Sequence, residues 1–290
     1  MTNITLSLFL LISCQVLSQE TISGKIIDSE SGLVLSYVNI GIADKGIGTI
    51  SDIHGNFTLK LNEKVVLTDA IVFSHIGYDT RFIPVSVLMN SKGTIKLDSL
   101  ETRLEEVVVK YKKPKAKKLG RSGKGLGTMH KNFYSYYEES VDDRLSKEMG
   151  VKFSIRKNCR VDALNFNITS NQFKSLKFRV NFYNLKNGLP DNLLNTRDIV
   201  FEIKNGQLGW FKVDLSSFDV YLEKEIEEVA VTIQWLESKK MNDKSKYFGI
   251  STKLATSKRF FYREKAMDKW FNGKSKPSFY LDAECTSAMN

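Results

Sequence analysis

Along much of the chain apolar and polar residues alternate one for one, the period of a strand with one buried face. Phe57, Leu59 and Leu61 alternate with Thr58 and Lys60, and Leu164, Phe166 and Ile168 with Asn165 and Asn167. Leu176, Phe178, Val180 and Phe182 face one way, while Lys177, Arg179 and Asn181 face the other. Val229, Val231, Ile233 and Trp235 repeat the pattern against Ala230, Thr232 and Gln234. Further strands are predicted over 21–28, 35–42, 70–75 and 93–97, with turns at the Ser-Glu-Ser-Gly of 29–32 and at Gly46, Gly48 and Gly55. Only 129–148, with acidic residues at its centre, is expected to be helical or irregular.

Short strands at close spacing predict an all-β chain of two modules. Residues 20–100 suit a small β-sandwich, and 129–290 a larger jelly-roll-like one of about eight to ten strands. Between them, 101–128 reads as a linker. Its part 110–124, KYKKPKAKKLGRSGK, holds eight basic side chains and no acidic one, and accounts for most of the net charge of +10. Such a composition cannot bury a core. Its functional reading is adhesion to an anionic surface.

Charge also marks the start of the chain. No charged side chain precedes Glu20, and Ile4 to Ile12 are mostly apolar. Val16 and Ser18 then occupy the small-residue positions of a cleavage site, so 1–18 is expected to be a signal peptide. Leu11-Ile12-Ser13-Cys14 offers a second reading, a lipobox with Cys14 acylated. Either reading exports the protein to the periplasm or outer membrane, where nucleic acid is no ordinary partner. An oxidising compartment lets Cys159 and Cys285 pair, although two separate buried thiols fit the sequence as well.

Candidate chemistry is sparse. His54, His75 and His130 are the only histidines, and none has a Glu at the spacing of a zinc peptidase. Asp28, Asp44, Asp52 and Asp79 fall near turns, where carboxylates bond backbone N–H groups, and no EF-hand loop is present. No catalytic, metal or cofactor set can be named. Tyr136, Trp210 and Trp270, with Tyr134 and Tyr137 beside the first, could stack on sugar rings or serve as core and edge residues.

The motifs between Gly24 and Tyr78 carry a resemblance. G-K-I-I-D, Y-V-N-I, G-T-I-S-D-I-H-G-N-F and F-S-H-I-G-Y resemble the carboxypeptidase regulatory-like domain. The resemblance implies a seven-strand, transthyretin-like sandwich of the kind fused to exported and outer-membrane proteins of the Bacteroidota. Leu104–Val109 resembles the segment that follows this domain in TonB-dependent receptors, although the residues after it are too few for a receptor barrel of the usual size. In metallocarboxypeptidases the module accompanies a separate catalytic domain, so peptidase activity is not implied. E-M-G at 148–150, V-N-F-Y at 180–183, G-L-P at 188–190 and G-W-F-K-V-D-L at 209–215 resemble a C-terminal sandwich of other Bacteroidota envelope proteins. The expected function is therefore a non-enzymatic envelope binding or assembly module with an envelope-protein partner. The alternative is a carbohydrate-binding accessory protein of a glycan-uptake system.

Overall fold

The computed structural model describes residues 20–89, 93–100, 114–123, 129–134 and 144–286. The signal segment, Leu104–Val109, Tyr136 and Tyr137 lie outside them. The first sandwich runs β1 (Thr21–Asp28), β2 (Asn39–Ile42), β3 (Ile47–Ile50), β4 (Asn56–Lys60), β5 (Ala70–Ser74), β6 (Arg81–Pro84), helix α1 (Val85–Met89) and β7 (Thr94–Leu97). Its seven strands form two sheets, β4-β1-β7 and β3-β2-β5-β6. Alternation does the sorting: β4 buries Phe57 and Leu59 and exposes Asn56, Thr58 and Lys60. Phe57 meets Phe73 edge to face in a core completed by Ile26, Val38, Ile40 and Ile71.

The S-D-I-H-G-N motif is a structural device. Ser51 Oγ donates to Leu35 O and accepts from the Val38 N–H. Asp52 Oδ1 accepts the N–H groups of His54 and Asn56, each at 2.8 Å. Gly55 has φ of +75°, and a Cβ there would lie 2.6 Å from Ile26 O. The motif turns the chain into β4 and packs it against β1.

The second sandwich comprises β8 (Lys115–Gly120), β9 (His130–Asn132), β10 (Glu148–Ser154), β11 (Asn158–Asn171), β12 (Phe173–Lys186), β13 (Leu189–Leu193), β14 (Val200–Lys204), β15 (Gly209–Asp214), β16 (Val220–Leu222), β17 (Glu228–Lys240), β18 (Phe248–Ser251), β19 (Phe260–Arg263), β20 (Phe271–Gly273) and β21 (Phe279–Thr286). One seven-stranded sheet runs β13-β12-β17-β10-β19-β20 with β14 also on β12. The other runs β8-β21-β11-β18-β9 with β15 and β16 also on β11. Strands outnumber the expectation because short ones lie end to end beside long ones. The 14-residue β11 pairs β21 and β18 along one side and β16 and β15 along the other. Phe133, Phe166, Phe178, Phe182, Trp235, Phe248 and Phe279 fill the space between the sheets.

Two local expectations change. The basic stretch is not all solvated linker, because Lys115–Gly120 is an edge strand paired with β21 from Cys285 to Tyr280. Backbone polar groups find partners there while the exposed lysines discourage any further strand, a common protection of sheet edges. Residues 130–132 of the stretch expected to be helical or irregular are instead strand β9 on β18, and 135–143 lie outside the described residues.

Cys159 and Cys285 stand directly opposite each other on β11 and β21, with their sulfurs bonded at 2.07 Å. The bridge joins positions 126 residues apart in sequence. Loop closure over that span stabilises a fold by roughly 2–5 kcal/mol. Cys159→Ala/Cys285→Ala is expected to lower unfolding free energy by about that amount. Urea denaturation of the oxidised protein and the double variant measures it.

Candidate functional site

The polar face of the β12-β17-β10-β19 strands is not turned to water. Arg179 is 1% exposed, Glu148 is 0% exposed, and Asn181, Thr232 and Gln234 are equally buried. Part of the cover is the β2–β3 hairpin of the first sandwich. Arg179 Nη2 donates to Tyr37 O at 2.9 Å and to Asp198 Oδ2 at 2.7 Å. Gln234 Nε2 donates to Asn39 Oδ1 at 2.8 Å, and the Asp44 N–H to Met267 O at 3.3 Å. Gly41 and Gly48, opposite each other in the hairpin, press on Ala266. A Cβ on Gly48 would lie 2.5 Å from Ala266 O, and one on Gly41 would strike the same oxygen. Glycine is what lets the modules close.

At the rim, the Tyr37 hydroxyl donates to Glu237 Oε2 at 2.9 Å. Lys177 Nζ donates to the Tyr37 oxygen at 3.0 Å and to Glu237 at 2.9 Å. These two bonds hold the Lys177 ammonium above its usual pKa. Burial raises the Tyr37 phenol. Burial also works against the Glu237 carboxylate, yet the bonds from Lys177 and Tyr37 leave it below its usual value.

Behind the interface lies a buried ionic cluster. Glu148 accepts from Arg263 Nε at 2.9 Å and Nη2 at 2.6 Å, from Asn181 Nδ2 at 2.8 Å and from the Thr232 hydroxyl. Tyr183 OH adds a longer bond at 3.4 Å. Every strong acceptor position is occupied, as a buried carboxylate requires.

Beside the interface opens a cleft of about 670 Å³, walled by both modules. The first sandwich supplies Tyr37, residues 46–50, Asp52, Ile53, 56–58 and 60–62, and the second supplies Leu145, Leu236, Glu237, Ser238 and Lys265. Tyr37, Ile50 and Leu236 pack together with Leu145 at its floor. β3 and β4 are both end strands of their sheets. Bonds from Leu61 N–H to Glu20 O and from Ile26 N–H to Gly55 O set the parity of the β1–β4 ladder. That parity turns the Thr58 N–H and C=O toward the open edge. Asp52 and Glu237 oppose Lys60 and Lys265 around the opening, so the cleft joins apolar floor, mixed charge and strand backbone.

Of the aromatic candidates, Trp210 and Trp270 do not come together. Trp210 lies on β15 of one sheet, edge-on to Tyr280 at 5.1 Å, with Lys118 Nζ 5.0 Å from the Tyr280 ring. Trp270 precedes β20 of the other sheet, its ring 4.6 Å from the Arg263 guanidinium and 5.5 Å from Tyr183. His54 and His130 are exposed, in a turn and on β9. His75 is half-buried near Arg179 and Asp198, and its Nδ1 has no partner among the described residues. Among those residues no group of three or more His, Cys, Asp or Glu is arranged to hold a metal. Asp28, like Asp52, serves a turn: its Oδ1 accepts the N–H groups of Glu30 and Ser31. Sequence reasoning missed Tyr37, Arg179 and Glu148 as interface and cluster residues. Nothing in their residue types marked them, because Arg179 and Asn181 opposite Thr232 and Gln234 read as an ordinary polar strand face.

Residues 22–109 match the family model of the CarboxypepD_reg-like domain, a non-catalytic sandwich. The first module is therefore a carboxypeptidase regulatory-like domain. Over 101 residues the chain is 34% identical to TonB-dependent receptor P3 of Formosa agariphila, a stretch covering 34% of this chain and 10% of the receptor. The match thus spans about a tenth of that curated relative. A structure of infectious bursal disease virus, Gx strain, aligns over 93% of this chain and 68% of its own at 9% identity, with a TM-score of 0.24. That score is too low to carry a shared fold.

Burial, then the positive charge of Arg179, push the His75 pKa from 6.5 to about 4, with Asp198 acting the other way. The folded protein favours neutral imidazole, so the unfolded chain binds the proton first as pH falls. This contribution is complete above pH 6.5 and is lost as pH drops toward about 4. The loss is expected to reach on the order of 3 kcal/mol. Urea midpoints of the wild type and His75→Gln across that window measure it, the variant showing the shallower slope.

Proposed function

We propose that the protein is a non-enzymatic, exported binding module of the bacterial cell envelope, and that its cleft receives an extended segment of an envelope protein. The observation carrying this reading is the meeting of two open strand edges, β3 and β4, at one cleft walled by both sandwiches. A peptide laid along β4 would gain backbone bonds at Thr58 and bury apolar side chains on Leu145 and Leu236, the general mode of strand addition. The regulatory-like domain and the partial match to a TonB-dependent receptor support an envelope setting. The carbohydrate reading has less support, since Trp210 and Trp270 lie on different sheets and each packs on an internal neighbour.

In the native host, the mature protein is expected in the envelope fraction with a mass beginning at Gln19. A photo-crosslinking residue at Thr58 should form one discrete adduct with an envelope protein. Filling the cleft with Ser238→Trp should abolish it, and the same crosslinker at exposed Lys224 should give none. A cytoplasmic chain retaining Met1, or adducts unaffected by Ser238→Trp, would overturn the proposal.

A further inference from the structure

One end of the second sandwich gathers cations from three segments distant in sequence. Residues 110–131, 252–263 and 269–281 contain no Asp or Glu. The chain after β18 and the chain before β21 form a short ribbon. The Lys253 N–H donates to Lys276 O at 3.3 Å, the Lys276 N–H returns to Lys253 O at 2.8 Å, and the Ala255 N–H bonds Lys274 O at 3.1 Å. Arg121, at the end of the basic stretch, sends Nη1 to Lys276 O at 2.8 Å. The Arg259 N–H bonds Gly273 O at the ribbon's base. Lys258 and Lys274 project from the same segments and are exposed.

Two properties separate this cluster from an ordinary solvated face. Arg121 is only 8% exposed, and none of these six cations forms an ion pair among the described residues. Like charges are thus held together by backbone bonds, with no carboxylate paired to them among the described residues. Burial, then Arg259, Lys253 and Arg121 in turn, hold the Lys276 ammonium below its usual pKa. The second property is apolar. Leu254, between Lys253 and Ala255, is 73% exposed, the highest value among the described large apolar side chains, and Met129, 41% exposed, accepts the N–H of nearby Thr252.

We infer that this ribbon, with Arg121 beneath it, docks the protein on an anionic lipid bilayer. Lys253, Lys258, Arg259, Lys274 and Lys276 engage headgroup phosphates, while Leu254 enters the acyl boundary. Clustered cations with an inserted apolar side chain are what such a surface requires. A soluble polyanion has use for the cations but none for Leu254. The inference is independent of the cleft, which uses other residues.

The test is co-sedimentation of the mature chain with phosphatidylcholine vesicles, with and without phosphatidylglycerol, at about 0.15 M salt, where the Debye length is about 8 Å. Binding is expected only with phosphatidylglycerol. Lys253→Gln/Lys274→Gln/Lys276→Gln should weaken it about a hundredfold, or roughly fivefold per charge. Leu254→Ser alone should weaken it about tenfold. Lys115→Gln/Lys117→Gln/Lys118→Gln, which removes equal charge from β8, should stay within about threefold of wild type because screening limits distant charges. Unchanged thermal melts show that each variant is folded. Absence of binding, or equal loss in the two triple variants, would overturn the assignment. So would an ineffective Leu254→Ser combined with patch-dependent retention on dextran sulfate, which would give the surface to a soluble polyanion.

Discussion

The structure depends on one buried charge. Arg179 sits on the polar face of β12 with its guanidinium out of water, held by Asp198 on its own module and by the Tyr37 carbonyl of the other. A guanidinium this buried is tolerated only when its donors are answered in good geometry. Neither sandwich alone supplies every acceptor, so the charge makes the approach of the modules specific. Gln234 and Asn39 repeat the same dependence with neutral groups. Glycines at 41 and 48 remove the steric obstacle that any side chain would raise against Ala266.

From that constraint follow the cleft and its chemistry. Docking covers the hairpin face of the first sandwich but leaves the outer edges of β3 and β4 facing a gap. The floor of the gap is shared, with Tyr37 and Ile50 from one module and Leu236 and Leu145 from the other. The Tyr37–Lys177–Glu237 group stands at the same boundary, so one residue, Tyr37, serves the interface with its carbonyl and the rim with its hydroxyl. Glu148 and Arg263 stiffen the sheet behind it, and Trp270 closes over that pair.

Much of the fold was legible in the chain. The alternations at 57–61, 164–168, 176–182 and 229–235 name strands and inward faces correctly, because burial of one sheet face imposes a period of two whatever the partner. The basic run was legible as charge but not as structure. Its exposed lysines look the same in a linker and on a sheet edge, and only pairing with β21 tells them apart. Strand number was underestimated for a similar reason. Periodicity marks the long strands, while the short ones lining them are defined by long-range hydrogen bonds.

The sequence by itself determined an all-β chain, the residues pointing into each core, the turns at Asp52 and Gly55, and the concentration of positive charge. These are local properties, set by side-chain period, backbone freedom and composition. Only the tertiary structure decided which polar face would be covered, that Cys159 would stand opposite Cys285, that β3 and β4 would share a cleft, and that Arg121, Lys253 and Lys276 would converge. Each of these joins residues far apart in the chain, and a one-dimensional pattern records that a side chain is polar without recording which surface answers it.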